Sequence, residues 1–402
     1  MDGPVPAFGL GRLPRITFGA GAFGRLPAVV AGHGRRALLV TGGRSFNDSP
    51  RRAALEAALA EAGVMLVGSA GVRGEPSPAD VEVPVARFRG EEVDVVVGIG
   101  GGAVMDTAKA IAGLLRSGTE LMDHLEGVGR GLPYPGPAVP LVAVPTTAGT
   151  GSEATRNAVI SERGPGGYKR SFRDESLVPA DAVVDPDLLA TAPRSLIAAN
   201  GLDALTQLLE SFTSQKATPV TDALARDGLA SVRDGLLRWH RDPDGPEAPA
   251  ARSHMAYAAL LSGICLANAG LGAVHGLASP LGAQLPIPHG MACGVVLRQV
   301  ISANITALVE RAPDAPALAK YAEAGRILAR LPARASDEAA RVGLVDVLGD
   351  WVRALEVPPL SAFEMSVAHI APIVADSPGS SMRTNPIALD DEELSAILAS
   401  AL

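Results

Sequence analysis

The chain reads as an α/β N-terminal domain, residues 1–187, followed by an all-α C-terminal domain, residues 188–402. Three observations predict this. Short valine-rich apolar runs alternate with helical stretches before Asp187. The long segments after it are rich in Ala and Leu with the texture of helices. No strand-like run follows that point. A length of 402 residues suits two or three domains.

Residues 36–41 and 93–97 read as buried strands, each running into glycines, Gly42-Gly43 after the first and Gly98 to Gly102 after the second. Between them, residues 51–63 have helical composition, with Gly63 as the stop. Residues 139–145 and 182–185 complete the predicted strands, and their alternation with helices argues for a mostly parallel sheet. Helices are expected over residues 188–214, 218–240, 252–268, 318–331, 338–355 and 392–402. The Pro/Asp-rich stretches 241–249 and 311–316 read as exposed loops. In residues 268–293, Pro280, Pro286 and Pro288 argue against one continuous helix. They favour a helix, a loop and a second helix start.

Hydrophobic residues make up 47% of the chain and aromatics only 3%, so the core must be built from Ala, Val, Leu and Ile. A formal net charge of −8 argues against a nucleic-acid binder, which carries a basic footprint. Cys265 and Cys293 cannot form a disulfide framework and read as small buried thiols in a reducing, cytoplasmic setting. The N-terminus shows no charged region leading into an apolar core, and no run of 18 apolar residues appears. Neither a signal peptide nor a membrane span is expected.

Two loops carry phosphate-binding character. Gly98 to Ala103 follows a strand and opens a helix, where free backbone N–H groups and the helix dipole favour an anion. The acidic residue expected about 20 positions on would be Glu120, which ends no visible strand, so an ordinary dinucleotide fingerprint fits poorly. Pro145 to Glu153 offers four hydroxyls and two glycines after another strand. Each loop alone could be an ordinary turn, but the pair matches where open α/β sheets bind ligands.

The C-terminal half carries metal-ligand chemistry. Asp203 and Gln207 lie at i and i+4, on one helix face. His275 and His289 are fourteen residues apart, each followed by a glycine that permits close backbone approach. Asp, Gln, His and His converging between helices would bind a divalent metal. His33, His124, His240, His254 and His369 read as ordinary residues on loops or helix surfaces. Glu153 reads as a loop anchor and Glu210 as a helix contact.

These blocks together resemble the iron-containing, or group III, alcohol dehydrogenases of the dehydroquinate-synthase-like fold. The resemblance runs over nearly the whole chain, through GIGGGAVMDTAKA from Gly98, VPTTAGTGSEAT from Val144, VVDPDLL from Val183, GLDAL from Gly201, VHGLASPLG from Val274, IPHG from Ile287 and TNP from Thr384. It implies a dinucleotide-binding α/β domain, a helical metal- and substrate-binding domain, and hydride transfer between an alcohol and an aldehyde or ketone at the cleft between them. Gly100, Gly101, Gly102 and Asp106 match the pyrophosphate loop, and Thr146, Thr147 and Thr150 the second cofactor loop. Lys169 matches a lysine near the nicotinamide ribose. Asp203, His275 and His289 match metal and catalytic positions, Gln207 stands where the family has a fourth ligand histidine, and Ser279 where it has a further histidine.

A glutamine oxygen is a weaker ligand than imidazole. The metal set is therefore expected as Asp203, Gln207, His275 and His289, holding iron(II), with zinc(II) or nickel(II) as alternatives. The family often has an aspartate after the first strand, facing the ribose 2′-hydroxyl of NAD. This chain has Gly42-Gly43-Arg44-Ser45, so a 2′-phosphate fits and NADPH, or dual use with NAD, is expected. The expected partners are a small alcohol or aldehyde and further copies of the chain in a homo-oligomer, with no nucleic acid and no membrane. Three other readings stay open. One is a metal-free reductase of an acidic substrate, similar to maleylacetate reductase, using Arg156, Arg170 and Arg173. The others are a lyase on the same fold and a non-catalytic dinucleotide-binding protein.

Overall fold

The computed structural model describes residues 5–162 and 167–402. Two compact units divide it: residues 11–191, and residues 192–402 with the stretch ending at Leu10.

The first unit is built on a six-stranded parallel sheet. Its strands are β1 (Arg15–Phe18), β2 (Arg36–Thr41), β3 (Met65–Gly71), β4 (Val95–Gly100), β5 (Leu141–Pro145) and, after a two-stranded ribbon, β8 (Asp181–Val184), in the order β1-β8-β5-β4-β2-β3. The ribbon pairs β6 (Asn157–Glu162) with β7 (Tyr168–Arg173) in antiparallel fashion. Helices α1 (Leu26–Ala31), α2 (Pro50–Glu61), α3 (Pro78–Phe88), α4 (Gly102–Ser117) and α5 (Leu121–His124) complete the unit.

Alternate residues of the central strands enter two different cores. Leu38, Val40, Val96, Leu141 and Ala143 face one core, which includes α3 and α4. Ala37, Leu39, Val95, Val97, Val142 and Val144 face the other, which includes α1 and α2. Burial on both faces explains why these strands read as continuous apolar runs rather than alternating ones. Gly63, with φ of 74°, closes the turn after α2 in the left-handed conformation that glycine adopts without strain. The strands that composition did not reveal are the edge strands β1 and β3 and the ribbon. They are short, polar or partly exposed, so they lack a buried-strand signature.

The second unit is helical among its described residues. It contains α6 (Arg194–Thr213), α7 (Pro219–Arg241), α8 (Ala248–Ala269), α9 (Ala273–Gln284), α10 (His289–Arg311), α11 (Pro316–Leu328), α12 (Asp337–Ala354), α13 (Ile370–Asp376) and α14 (Asp391–Ser400). The long helix expected from residue 188 begins later. Residues 186–189 form a single 3-10 turn and α6 starts after Pro193. The loop expected over 241–249 already yields to α8 at Ala248. From Ile197 to Thr213 nearly every residue of α6 is buried, the pattern of a helix surrounded by others. Helix α10 is long and apolar enough by length and composition to cross a membrane, and 61% of its 18-residue apolar window is buried in the structure. The residues 268–293 form a helix, a loop and a helix start, with Pro286 and Pro288 in the loop. Pro280, expected to break the helix, lies inside α9 instead.

Candidate functional site

Four side chains from three helices of the helical unit bring one donor atom each into a cluster whose members lie within 4.8 Å of one another: Asp203, His275, His289 and Cys293. Asp203 projects from the buried middle of α6, His275 from the first turn of α9, and His289 is the first residue of α10. Cys293 follows one turn along α10, at the i+4 position that shares a face with His289. His275 Nε2 is 3.2 Å from Asp203 Oδ1 and 3.8 Å from Cys293 Sγ. His289 Nε2 is 3.9 Å from Asp203 Oδ1 and 4.0 Å from Cys293 Sγ.

Glycines make this convergence possible. A Cβ on Gly290 would stand 2.1 Å from the Ala199 carbonyl oxygen, and one on Gly294 2.5 Å from Leu202 Cδ1. The start of α10 therefore rests directly on α6, which sets His289 beside Asp203. At α9, a Cβ on Gly272 would meet Asn385 Oδ1 at 2.8 Å and Glu210 Oε1 at 2.9 Å. Those two side chains cap the helix: Val274 N donates to Glu210 Oε1 at 2.7 Å and Ala273 N to Asn385 Oδ1 at 3.0 Å. Thr384 Oγ1 donates to the Leu271 carbonyl at 2.6 Å, so the Thr384–Asn385 pair braces the entry to α9.

Glu210 does more than the helix contact expected of it. Its Oε2 lies 2.6 Å from His275 Nδ1. With Nδ1–H donated to this carboxylate, the ring is fixed so that Nε2 faces Asp203 and the cluster, where it would offer a lone pair once a cation displaced its proton, the carboxylate–histidine arrangement that orients metal-binding imidazoles. Burial would raise the Asp203 carboxyl, but the hydrogen bond from His275, the charges of His289 and His275, and the Gln207 amide outweigh it and hold it below its ordinary value. Burial would lower His275, yet Cys293, Glu210 and Asp203 together hold it well above its ordinary value. Burial pushes the Cys293 thiol up, against the opposing pull of His275. The group is a dense set of lone pairs and carboxylate charge that a cation would satisfy, so the residues fit a divalent metal.

Gln207, expected as a ligand, lies beside Asp203 with both ends of its amide engaged. Ser262 Oγ lies 2.7 Å from Gln207 Oε1, and the Gln207 amide hydrogen-bonds Asp203. Turning the amide over would set its oxygen against the Asp203 carboxylate. In this arrangement Gln207 supports Asp203, and Cys293, which the sequence reads as a plain buried thiol, is a further donor in the cluster. Its signal was available: His289 and Cys293 have the same i, i+4 spacing that singled out Asp203 and Gln207. Ser279 is half-buried on α9, one turn beyond His275.

In the α/β unit, the two expected cofactor loops pack on each other at the C-terminal ends of β4 and β5. A Cβ on Gly101 would lie 3.1 Å from Thr147, and one on Gly102 2.6 Å from Thr150. Thr146, Thr147 and Thr150 are half-buried. Asp106 is engaged internally: Ser152 Oγ donates to it at 2.6 Å, and the fully buried Lys109 Nζ is 3.8 Å away. Lys109 donates to Ser152, Thr155 and the Asn157 carbonyl, and burial lowers it to about 8. Burial likewise raises Glu153 to about 7. Lys169 pairs with Glu75 at 2.9 Å. Arg44 and Ser45 are exposed after β2. A Cβ on Gly43 would lie 3.8 Å from Arg73 Cγ, which adds a second exposed guanidinium to this strand end.

Of the other histidines, His124 and His240 are buried rather than on surfaces. His124 is held by Thr119 and Leu132 and stacks on Phe172, and His33 pairs with Asp181 at 2.6 Å. Two of the three arginines considered for an acidic substrate are already paired, Arg156 with Glu175 and Arg173 with Glu126.

Comparison with known proteins matches residues 14–186 to "Iron-containing alcohol dehydrogenase" and residues 197–402 to "Fe-containing alcohol dehydrogenase family, C-terminal". The NAD-dependent methanol dehydrogenase of Bacillus methanolicus is 37% identical over 241 residues, 60% of this chain, which spans 61% of that enzyme's length. The lactaldehyde reductase of Escherichia coli is 32% identical over 349 residues, 85% of each chain. The crystal structure of a 1,3-propanediol oxidoreductase superposes with a TM-score of 0.88 at 28% identity, covering 99% of this chain and 100% of that one. With matches across both units, the chain belongs to the iron-containing alcohol dehydrogenase family, a family of oxidoreductase enzymes.

Proposed function

We propose that this protein is an NAD(P)-dependent, metal-assisted alcohol dehydrogenase and aldehyde reductase acting on a small alcohol/carbonyl pair. The observation that carries this reading is the buried donor cluster around Asp203, His275 and His289, backed by Glu210. A bound divalent cation there supplies Lewis acidity toward the substrate oxygen. Asp203 lowers the net charge of the site. His275 is fixed in tautomer and direction by Glu210, and His289 forms the more exposed edge, with 25% of its side chain accessible against 6% for His275. Relatives named for methanol and lactaldehyde support a small substrate.

The dinucleotide is assigned to the α/β unit. Gly100, Gly101, Gly102, Thr146, Thr147 and Thr150 would contact the phosphates and ribose, Asp106 would shape the loop through Ser152, and Lys169 would approach the nicotinamide ribose. Gly42, Gly43, Arg44 and Ser45, with Arg73 beside them, favour the 2′-phosphate of NADPH over NADH. Exposed Ile16 and Phe18 on the sheet-edge strand β1 support a homo-oligomer.

The test combines metal analysis of protein purified without a metal-affinity step with NADPH and NADH oxidation against an aldehyde panel, before and after chelation. Expected are about one bound metal per chain, turnover lost on chelation and restored by metal, and a higher kcat/KM with NADPH. His275→Ala should lose the metal and at least about a hundredfold in turnover while still binding dinucleotide. Chelator-resistant turnover by metal-free protein would instead move the chain to the metal-free reductases, with Gln207 and Ser279 as substrate-binding residues.

A further inference from the structure

The cluster contains a soft donor that the family resemblance did not supply. We propose that Cys293 Sγ, and not Gln207 Oε1, is the fourth protein ligand of the metal, and that the resulting Asp203/His275/His289/Cys293 set takes zinc(II) in preference to iron(II). This rests on the metal-assisted reading above.

Geometry carries the assignment. Donors around a tetrahedral zinc stand roughly 3.3–3.6 Å apart, given metal–ligand distances of about 2.0–2.3 Å. The four contacts measured here are 3.2, 3.9, 3.8 and 4.0 Å, so a small contraction closes the set. Gln207 meanwhile has its oxygen within 2.7 Å of the Ser262 hydroxyl and its amide on Asp203.

Chemistry carries the metal preference. Thiolate and imidazole suit zinc, which also stands above iron(II) in intrinsic affinity for a given site, whereas a glutamine oxygen adds no such bias. Cys293 is fully buried, and the other cysteine, Cys265, lies apart with its Sγ 3.5 Å from the Thr221 carbonyl. A cysteine-to-metal signal can therefore be assigned by mutation within this chain.

The test is a cobalt(II) titration of the chelator-stripped full chain, followed by absorption. Expected are visible d–d bands together with a near-ultraviolet thiolate-to-cobalt charge-transfer band. That band should vanish in Cys293→Ser and persist in Cys265→Ser and Gln207→Leu. In anaerobic competition with equimolar zinc(II) and iron(II), wild type should retain zinc over iron by at least about tenfold, and Cys293→Ser should narrow the ratio. Cobalt d–d bands without charge transfer, with uptake lost in Gln207→Leu and kept in Cys293→Ser, would overturn the cysteine assignment and leave the metal reading standing. No cobalt uptake by wild type would overturn both.

Discussion

Glu210 lies two turns along α6 from Asp203, and its carboxylate reaches both the first turn of α9 and the His275 ring. A neutral amide at this position keeps the size but weakens the hold on the Nδ1 proton. Glu210→Gln is therefore expected to lower metal affinity about ten- to hundredfold while leaving helix content unchanged. Metal-binding titrations with circular dichroism check this, and unchanged affinity would remove Glu210 from its positioning role. Glu153 offers a separate test in the α/β unit. Folded Glu153 keeps its proton up to about 7, whereas an unfolded glutamate releases it near the ordinary value of 4.5. The folded state thus binds the extra proton, so stability from this group is full below that ordinary value and falls as pH rises through 7. Glu153→Gln should melt higher than wild type at about pH 8, by on the order of 2 kcal/mol of stability, and the gap should close at about pH 4. Equal melting temperatures at the higher pH would contradict the buried, protonated side chain.

At the scale of elements, the contact between α10 and α6 decides whether a site exists. Gly290→Ala would put a methyl 2.1 Å from the Ala199 carbonyl, backbone that cannot rotate aside. The start of α10 must lift, carrying His289 with it. Expected are a loss of roughly 1–3 kcal/mol in stability and a drop of more than about tenfold in metal affinity, read by thermal melting and metal titration. Wild-type affinity in this variant would show that His289 is not positioned by that contact. Such contacts were only partly legible beforehand. β2 was readable to its ends because both its faces are buried, and Pro286 and Pro288 announced the break before α10. β3 was hidden because it is an edge strand with Met65 exposed and Gly68 lying under Phe88. Asp203, His275 and His289 stood out as residue types known for binding metals. Cys293 could have been found from its i, i+4 spacing to His289, whereas the role of Glu210 lies in which helix faces meet, and neither spacing nor composition states that.

For the whole molecule, the exposed apolar pair on β1 becomes meaningful when copies of the chain are considered. Ile16 and Phe18 are 40% and 38% accessible on a strand that, among the described residues, pairs only with β8. Accessible apolar side chains on a sheet-edge strand favour association between copies. The double variant Ile16→Glu, Phe18→Glu should shift the particle to lower mass in light scattering without disturbing metal content. A wild-type chain that runs as a monomer would end that reading.

The bracing of α9 by Thr384 and Asn385 also bears on how the protein comes into being. A ribosome has already made all four donor residues once it passes Cys293, yet the side chain that pins Ala273 arrives only with Asn385. Throughout the intervening synthesis the nascent chain owns its ligands without the clamp that orders one of them. Ordering of the His275 turn within the donor cluster should therefore wait until Asn385 has been made.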